Sequence, residues 1–300
     1  MSSENRDQHT MQHPQHQHPG PSGDTTKIQW PGLTGDMPSE PDHGEKTYRG
    51  YGRLKDRKAI ITGGDSGIGR AVAIAYAREG ADILISGLPE EEKDAQTTAQ
   101  LVRDAGRKCV VMLGDLRDES YCKGLVDRAV NELGGLTTLV NNAAYQMNIP
   151  NFMDITTENF DRTMRTNLYA MFWLCKYAVP HMPPGSTIVN TASVQAFKPS
   201  PGLLDYSMTK AAIVNLTKSL GQSLIEKGIR VNCVAPGPIW TPLIPSTMAE
   251  EKIEKFGKQT PTQRAGQPAE LASAYVFFAS QESSYITAEI LALTGGQLIT

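Results

Sequence analysis

Histidine is nearly missing from the body of this chain. Five of the six histidines lie in the first 50 residues (His9, His13, His16, His18 and His43), and only His181 follows. Histidine-based catalysis or a histidine-rich metal site in the folded body is therefore set aside, and no metal is expected. Cysteine is scarce as well. Cys109, Cys122, Cys175 and Cys233 stand far apart with no C-x-x-C pair. That pattern argues against a disulfide framework and fits a reduced, cytoplasmic setting with the cysteines as small core residues. No run of about 18 apolar residues occurs, so no membrane span is expected. The N-terminus has no apolar segment of the secretory type. A surplus of positive charge is also absent. The net charge of −3 offers no footprint for nucleic acid and no polybasic patch for a membrane.

What is present divides the 300 residues into two unequal parts. Residues 1–50 are rich in Gln, His, Pro, Gly and Ser without an apolar period, and are read as a polar extension, partly disordered or docked on the surface. Two stretches of it, Trp30-Pro31-Gly32-Leu33 and Tyr48 to Tyr51, have the apolar content needed for docking. Its histidine spacing matches no defined metal site. From residue 51 to 300 apolar strand-like runs alternate with helix-length segments. Strands are predicted at 58–62, 82–86, 108–113, 137–141, 186–192, 229–234 and 290–293, and helices at 68–79, 90–105, 119–133, 157–179, 206–227 and 268–280. Regular alternation of this kind predicts right-handed βαβ crossovers in one α/β domain, a doubly wound parallel sheet of about seven strands.

The first strand runs into Thr62-Gly63-Gly64-Asp65-Ser66-Gly67-Ile68-Gly69 and then a helix. A strand turning on glycines into a helix presents free backbone N–H groups at the positive helix end, where a phosphate is stabilised. The spacing is G-x-x-x-G-x-G, not the commoner G-x-G-x-x-G. In parallel sheets ligands bind beyond the carboxyl ends of the strands. The residues that follow the other strands are small and polar: Gly114-Asp115-Leu116, Asn142-Ala143-Ala144, Ser193, and Ala235-Pro236-Gly237-Pro238. Tyr206 and Lys210 stand at i and i+4 on one predicted helix and share a face. A phenol with a pKa of about 10 is a poor base at neutral pH. A neighbouring ammonium, with the positive ring of an oxidised nicotinamide, lowers it. Such a tyrosine can exchange the proton of a carbonyl/alcohol pair, with the Ser193 hydroxyl holding the substrate oxygen. Asn167 sits inside the long helix after Asn142-Ala143-Ala144, either as a satisfied core amide or as a water-holding site that relays protons to Lys210.

These motifs resemble the short-chain dehydrogenase/reductase family of the Tyr-x-x-x-Lys type, over about residues 54–300. They are Thr62-Gly63-x-x-x-Gly67-Ile68-Gly69, Asp115, Asn141-Asn142-Ala143-Ala144, Asn167, Ser193, Tyr206-x-x-x-Lys210 and Pro236-Gly237. The extension and Leu88-Pro89-Glu90-Glu91-Glu92 further resemble a bacterial subgroup of general-stress and aldehyde-reductase-like oxidoreductases. The resemblance implies a Rossmann-type fold, Tyr206 as general acid/base, Lys210 on the nicotinamide ribose, Ser193 orienting the substrate and Asn167 supporting a proton relay. It implies cofactor contacts from the glycine turn (Gly63, Asp65, Ser66, Gly67, Ile68 and Gly69) and from Gly87 and Leu88. Asp115 with Leu116 at the adenine, Asn142 with Ala143 and Ala144, and Pro236, Gly237, Ile239 and Thr241 at the nicotinamide end complete the set. The family pattern reads Asn-Asn-Ala-Gly where this chain has Ala144, whose methyl group crowds the ribose slightly. A homotetramer pairing the long helices at 157–179 and 206–227 is also implied, with a second interface from the last strand and Leu298-Ile299.

For NAD against NADP, the second strand ends in Ser86-Gly87-Leu88-Pro89-Glu90. Gly87 occupies the position where an acidic residue selects NAD, and no Lys or Arg stands in the glycine turn to welcome a 2′-phosphate. Asp65 and Ser66 occupy the positions where a phosphate reader carries a basic side chain. The absence of a base and the Glu90–Glu92 run tilt the expectation to NAD. Residues 238–266, with Trp240, Leu243, Ile244 and Met248, are expected to form a substrate lid over a small, fairly apolar carbonyl or alcohol, and Gln195, Tyr145 and Trp240 its pocket walls. Two other readings stay open: a cofactor-binding sensor or scaffold without turnover, and a sugar-nucleotide epimerase or dehydratase. The glycine spacing and the lack of a sizeable C-terminal substrate domain disfavour the latter.

Overall fold

The computed structural model describes residues 7–19 and 26–299. Seven parallel strands form its centre: β1 (Lys58–Thr62), β2 (Asp82–Gly87), β3 (Cys109–Leu113), β4 (Thr138–Asn141), β5 (Thr187–Thr191), β6 (Arg230–Pro236) and β7 (Ile290–Leu293). Their order is β3-β2-β1-β4-β5-β6-β7. β1 pairs with β2 on one side and β4 on the other. The chain therefore reverses its direction of winding at β1, and the crevice this opens beyond the strand ends is where a ligand fits.

Side chains alternate between the two faces of the sheet. Ala59 and Ile61 point to a cluster with helices α1 (Gly67–Arg78), α2 (Glu92–Asp104) and α9 (Pro268–Ala279). Ile60, Leu84, Leu139, Ile188 and Val231 point to the opposite cluster with α3 (Glu119–Leu133), α5 (Ala170–Ala178) and α6 (Leu204–Ser223). Burial on both faces explains why the strands read as nearly continuous apolar runs. Helix α3 starts on Asp118, whose carboxylate accepts from the Ser120 N–H, and stops at Gly134 with φ of 75°, a left-handed conformation that glycine tolerates best.

The helix expected over 157–179 is interrupted. α4 (Thr157–Met164) passes through a π-helical turn, Arg165–Tyr169, before α5 begins. Such a turn makes room for side-chain bonds that a regular helix would misplace, and Asn167 at its centre makes three of them. The helix expected at 206–227 starts at Leu204 and ends as α-helix at Ser223, with a 3-10 turn, Ile225–Lys227, before Gly228.

Much of residues 26–50 packs on the body. Tyr48 is buried, and its hydroxyl donates to Glu79 Oε1 at 2.7 Å. Glu79 also takes the Arg53 guanidinium at 2.6 Å and the Tyr51 and Arg53 backbone N–H groups. Those bonds hold its carboxyl below the usual range despite burial. Met37 joins Trp240, Ile244, Ile253 and Ala265 in a third apolar cluster. All four cysteines are free and buried, and no helix among the described residues is long and apolar enough to cross a membrane.

Candidate active site

A cleft of about 760 Å³ opens beyond the carboxyl ends of the strands, within the range of cavities that bind cofactor-sized molecules. Its floor is the glycine turn. Gly63 and Gly67 have φ of 61° and 49°, and a Cβ on Gly69 would overlap the Gly63 carbonyl oxygen. The turn is locked to β4 from the neighbouring strand end. Thr62 Oγ1 accepts from the backbone N–H groups of Asn142 (3.0 Å) and Ala143 (3.1 Å), and Asn142 Nδ2 donates to the Thr62 and Gly63 carbonyls at 3.2 Å each. The Asn142 amide thus supports the cradle, while Asn142, Ala143 and Ala144 all line the cleft. Ser66 precedes α1, and Asp65, Ser66, Gly67 and Ile68 form the wall above the turn. Gly69 does not line the cleft; it allows the turn and helix to touch. A glycine cradle at a helix start, with a cleft of this volume, fits the phosphates of a dinucleotide.

At the far end of β2, Asp65 Oδ1 and Glu91 Oε2 would lie 2.9 and 3.2 Å from a Cβ on Gly87. Glu91 also accepts from the Leu88 N–H at 2.7 Å. Burial raises both carboxyl pKa values, with the Asp94 charge adding to it at Asp65 and the Asp65 charge at Glu91. Both acids therefore favour the folded state most in acid, and that contribution fades as pH rises through their raised values. Asp115 and Leu116 line the same end, but the Asp115 carboxylate is held by the Arg117 guanidinium at 2.5 Å.

The residues expected to carry the chemistry gather at the other end. Tyr206 and Lys210 lie on α6, and both face the cleft. Lys210 Nζ donates to the Thr191 carbonyl at 2.8 Å and lies 5.2 Å from the centre of the Tyr206 ring. Burial drives the Lys210 pKa down to about 8. The expectation that Lys210 lowers the Tyr206 pKa is not met in the protein alone. Burial pushes Tyr206 up to about 12, and only the nearby Ser193 hydroxyl pulls the other way. Desolvation disfavours the phenolate here more than a distant ammonium favours it. Ser193 lies two residues past the end of β5 and accepts from the Gln195 N–H at 3.2 Å. Gln195 lines the cleft with its amide already bonded to Ser200 and Ser207.

Asn167 stands apart from the cleft wall. Its Oδ1 accepts from the Tyr145 N–H at 2.7 Å, and its Nδ2 donates to the Tyr145 carbonyl at 2.8 Å and to Thr209 Oγ1 at 3.1 Å. The side chain is fully used in tying the segment after β4 to α6, as in a satisfied core amide. Trp240 needs correction as a substrate wall. It is 2% exposed, its Nε1 donates to the Ser39 carbonyl at 2.9 Å, and it packs against Met37. The N-terminal segment covers the face that was assigned to substrate. Pro236, Gly237, Ile239 and Thr241 do line the cleft, and the Thr241 methyl would sit 3.1 Å from a Cβ on Gly67. Helices α7 (Leu243–Thr247) and α8 (Glu250–Glu254) bring Leu243, Ile244 and Lys252 to the mouth, with Met248 between them. Sequence reasoning missed Trp30, Pro31 and Arg162 as part of this wall. The only signal was the apolar content of Trp30-Pro31.

Comparison with known proteins agrees with the geometry. A family model described as "Enoyl-(Acyl carrier protein) reductase" matches residues 63–297. The oxidoreductase YghA of Escherichia coli is 55% identical over 268 residues, covering 89% of this chain and 91% of that one. "NADPH-dependent aldehyde reductase 1, chloroplastic" of Arabidopsis thaliana is 44% identical, covering 90% and 96% of the two chains. A short-chain dehydrogenase from Burkholderia cenocepacia, solved with NADP, superposes with a TM-score of 0.76 at 30% identity, covering 81% and 98%. The chain belongs to the short-chain dehydrogenase/reductase family. It is an oxidoreductase of carbonyl and alcohol groups that uses a nicotinamide dinucleotide.

Proposed function

We propose that the protein interconverts a small aldehyde or ketone and its alcohol, with Tyr206 as the group that gives or takes the proton. The observation that carries this reading is the convergence of Ser193, Tyr206 and Lys210 at one end of the cleft whose other end is the glycine cradle. The nicotinamide, when bound, supplies or removes the hydride. In reduction the substrate oxygen sits between the Ser193 and Tyr206 hydroxyls, and Tyr206 passes its proton to that oxygen as negative charge builds there. Ser193 holds the oxygen in place and stabilises that charge. Lys210, its pKa pushed down to about 8 by burial and its ammonium fixed on the Thr191 carbonyl, stabilises the phenolate left behind. Burial of Tyr206 keeps bulk water from doing the same exchange without control.

For the cofactor, the reading leans to NAD. Its support is the surroundings of Gly87, where a 2′-phosphate would meet Asp65 and Glu91 and not a basic side chain. The relatives give no support on this point, since their printed cofactors are NADP and NADPH. Specificity constants measured with NADH and NADPH decide it. The lean predicts a preference for NADH of at least about tenfold, or about 1.4 kcal/mol; an equal preference for NADPH overturns it.

The same reading places the enzyme in a reducing, cytoplasmic compartment, supported by four free buried cysteines. It also takes the enzyme to be a homotetramer. Exposed Tyr169, Phe172 and Met208 on the long helices, and Leu291 and Leu298 near the last strand, supply apolar surface for two isologous contacts. Light scattering after size-exclusion chromatography is expected to give four times the 32.7 kDa chain mass; a monomer would refute it.

A further inference from the structure

The N-terminal segment does more than rest on the body. Between residues 28 and 34 it is tied to three separate banks of the cleft. At one end the Thr34 N–H donates to Asp94 Oδ2 of α2 at 2.7 Å. Along α7 the Ile28 N–H donates to the Pro245 carbonyl at 3.3 Å, and Ser246 Oγ, which donates to the Pro242 carbonyl at 2.8 Å, lies 3.4 Å from the Pro31 carbonyl. On the opposite bank the Arg162 guanidinium of α4 is clamped between two rings, 4.1 Å from the Trp30 centre and 4.2 Å from that of Tyr145. The rings themselves meet edge to face at 5.8 Å. Trp30, Pro31 and Arg162 share the cleft lining with Gly63, Ser66 and Gly67 of the cradle.

We propose that residues 28–34 are a strap forming the front wall of the dinucleotide site, which must part for the cofactor to enter or leave. This inference rests on the dinucleotide reading of the cleft. A segment bonded to α2, α7 and α4 crosses the mouth rather than bordering it. Its hold on α7 is one long hydrogen bond and a 3.4 Å polar contact, while the Trp30–Arg162–Tyr145 stack is its latch on the α4 side. The latch post is rigid. Tyr145 is fixed by Asn167 at both backbone polar groups and by Asn159 through its hydroxyl. Asn167 in turn holds Thr209, the residue before Lys210. The strap is hinged behind by firm anchors, with Trp240 Nε1 on the Ser39 carbonyl and Tyr48 and Arg53 on the buried Glu79 carboxylate. Weak holds over the cleft beside strong anchors outside it are the pattern of a segment that opens locally while the fold stays intact.

Stopped-flow binding tests this with NADH or NADPH, whichever binds tighter, read by the fluorescence of the reduced nicotinamide and so independently of turnover. In the wild type the observed rate is expected to level off as cofactor concentration rises, because strap opening limits entry. Trp30→Ala removes the latch. Its rate is expected to rise linearly with concentration, and its dissociation to be faster by about tenfold, with the melting temperature unchanged. Trp30→Phe keeps a ring over Arg162 and is expected to restore the plateau. A wild-type rate that stays linear, or Trp30→Ala rate constants matching the wild type, would overturn the strap while leaving the enzyme's function standing. No binding of either cofactor to the wild type would instead overturn the dinucleotide reading, and the strap with it.

Discussion

Replacing Tyr206 by Phe is expected to lower kcat by about 10³-fold, the scale of a lost general acid, while cofactor affinity stays near wild type. The two effects separate because of where the hydroxyl lies. Tyr206 is buried at the Ser193 end of the cleft, and the glycine cradle at the other end is held by Thr62 and Asn142. Phenylalanine keeps the ring, its packing and the position of Lys210, whose ammonium is bonded to the Thr191 carbonyl and not to the phenol. What is lost is the one proton the substrate oxygen needs. Turnover retained within about tenfold of wild type would falsify the assignment of Tyr206. Ser193→Ala is a milder change, since it removes a hydroxyl that orients the oxygen and leaves the proton donor in place.

Gly69→Ala is expected to disable the cradle from the opposite direction. A Cβ at this position would overlap the Gly63 carbonyl oxygen and lie 2.9 Å from Asn142 Nδ2. Backbone cannot step aside as a side chain can, so the turn must open and part from β4. Overpacking of this kind destabilises by about 1–3 kcal/mol, and the shifted N–H groups are expected to weaken cofactor binding by more than about tenfold. Gly124→Ala makes the contrast. Within α3 a Cβ there meets only Met112 Cε at 3.7 Å, and loss of a helical glycine is expected to stabilise by about 0.5–1 kcal/mol. Thermal melts of the two variants moving in the same direction would contradict this account of the cradle.

The sheet and the meeting of Ser193, Tyr206 and Lys210 in one cleft were legible in the sequence because their signals are local. Each strand is a short apolar run ending in small polar residues, and parallel winding follows from the alternation of strands and helices. Ser193 is visible at a strand end, and Tyr206 and Lys210 are visible as one helix face. The features that escaped depend on distant parts of the chain meeting. Trp240 looked like a pocket wall because an apolar residue in a covering segment does not reveal which side it shows. Met37 and the Ser39 carbonyl, some 200 residues away, claimed it. Asn167 was visible as a polar residue in a helix, but its amide partners, Tyr145 and Thr209, lie 22 and 42 residues away. The proximity of Tyr206 and Lys210 could be read from spacing, while the high phenol pKa of the protein without its cofactor could not. Sequence spacing says nothing of the Thr191 carbonyl that fixes the ammonium, nor of the burial that governs the phenol. Arg162 and Trp30 were hidden for the same reason, being adjacent only after the extension has folded across the cleft.

The most direct test of the central claim is transfer of hydride itself. Reduced nicotinamide carrying deuterium at the transferred position is to be mixed with enzyme and a panel of small aldehydes and ketones. The proposed function predicts carbonyl-dependent loss of the nicotinamide absorbance, deuterium on the carbon of the product alcohol, and both abolished in Tyr206→Phe. Cofactor binding with no deuterium transferred to any carbonyl on the panel would contradict it and favour a sensor or scaffold built on the same fold.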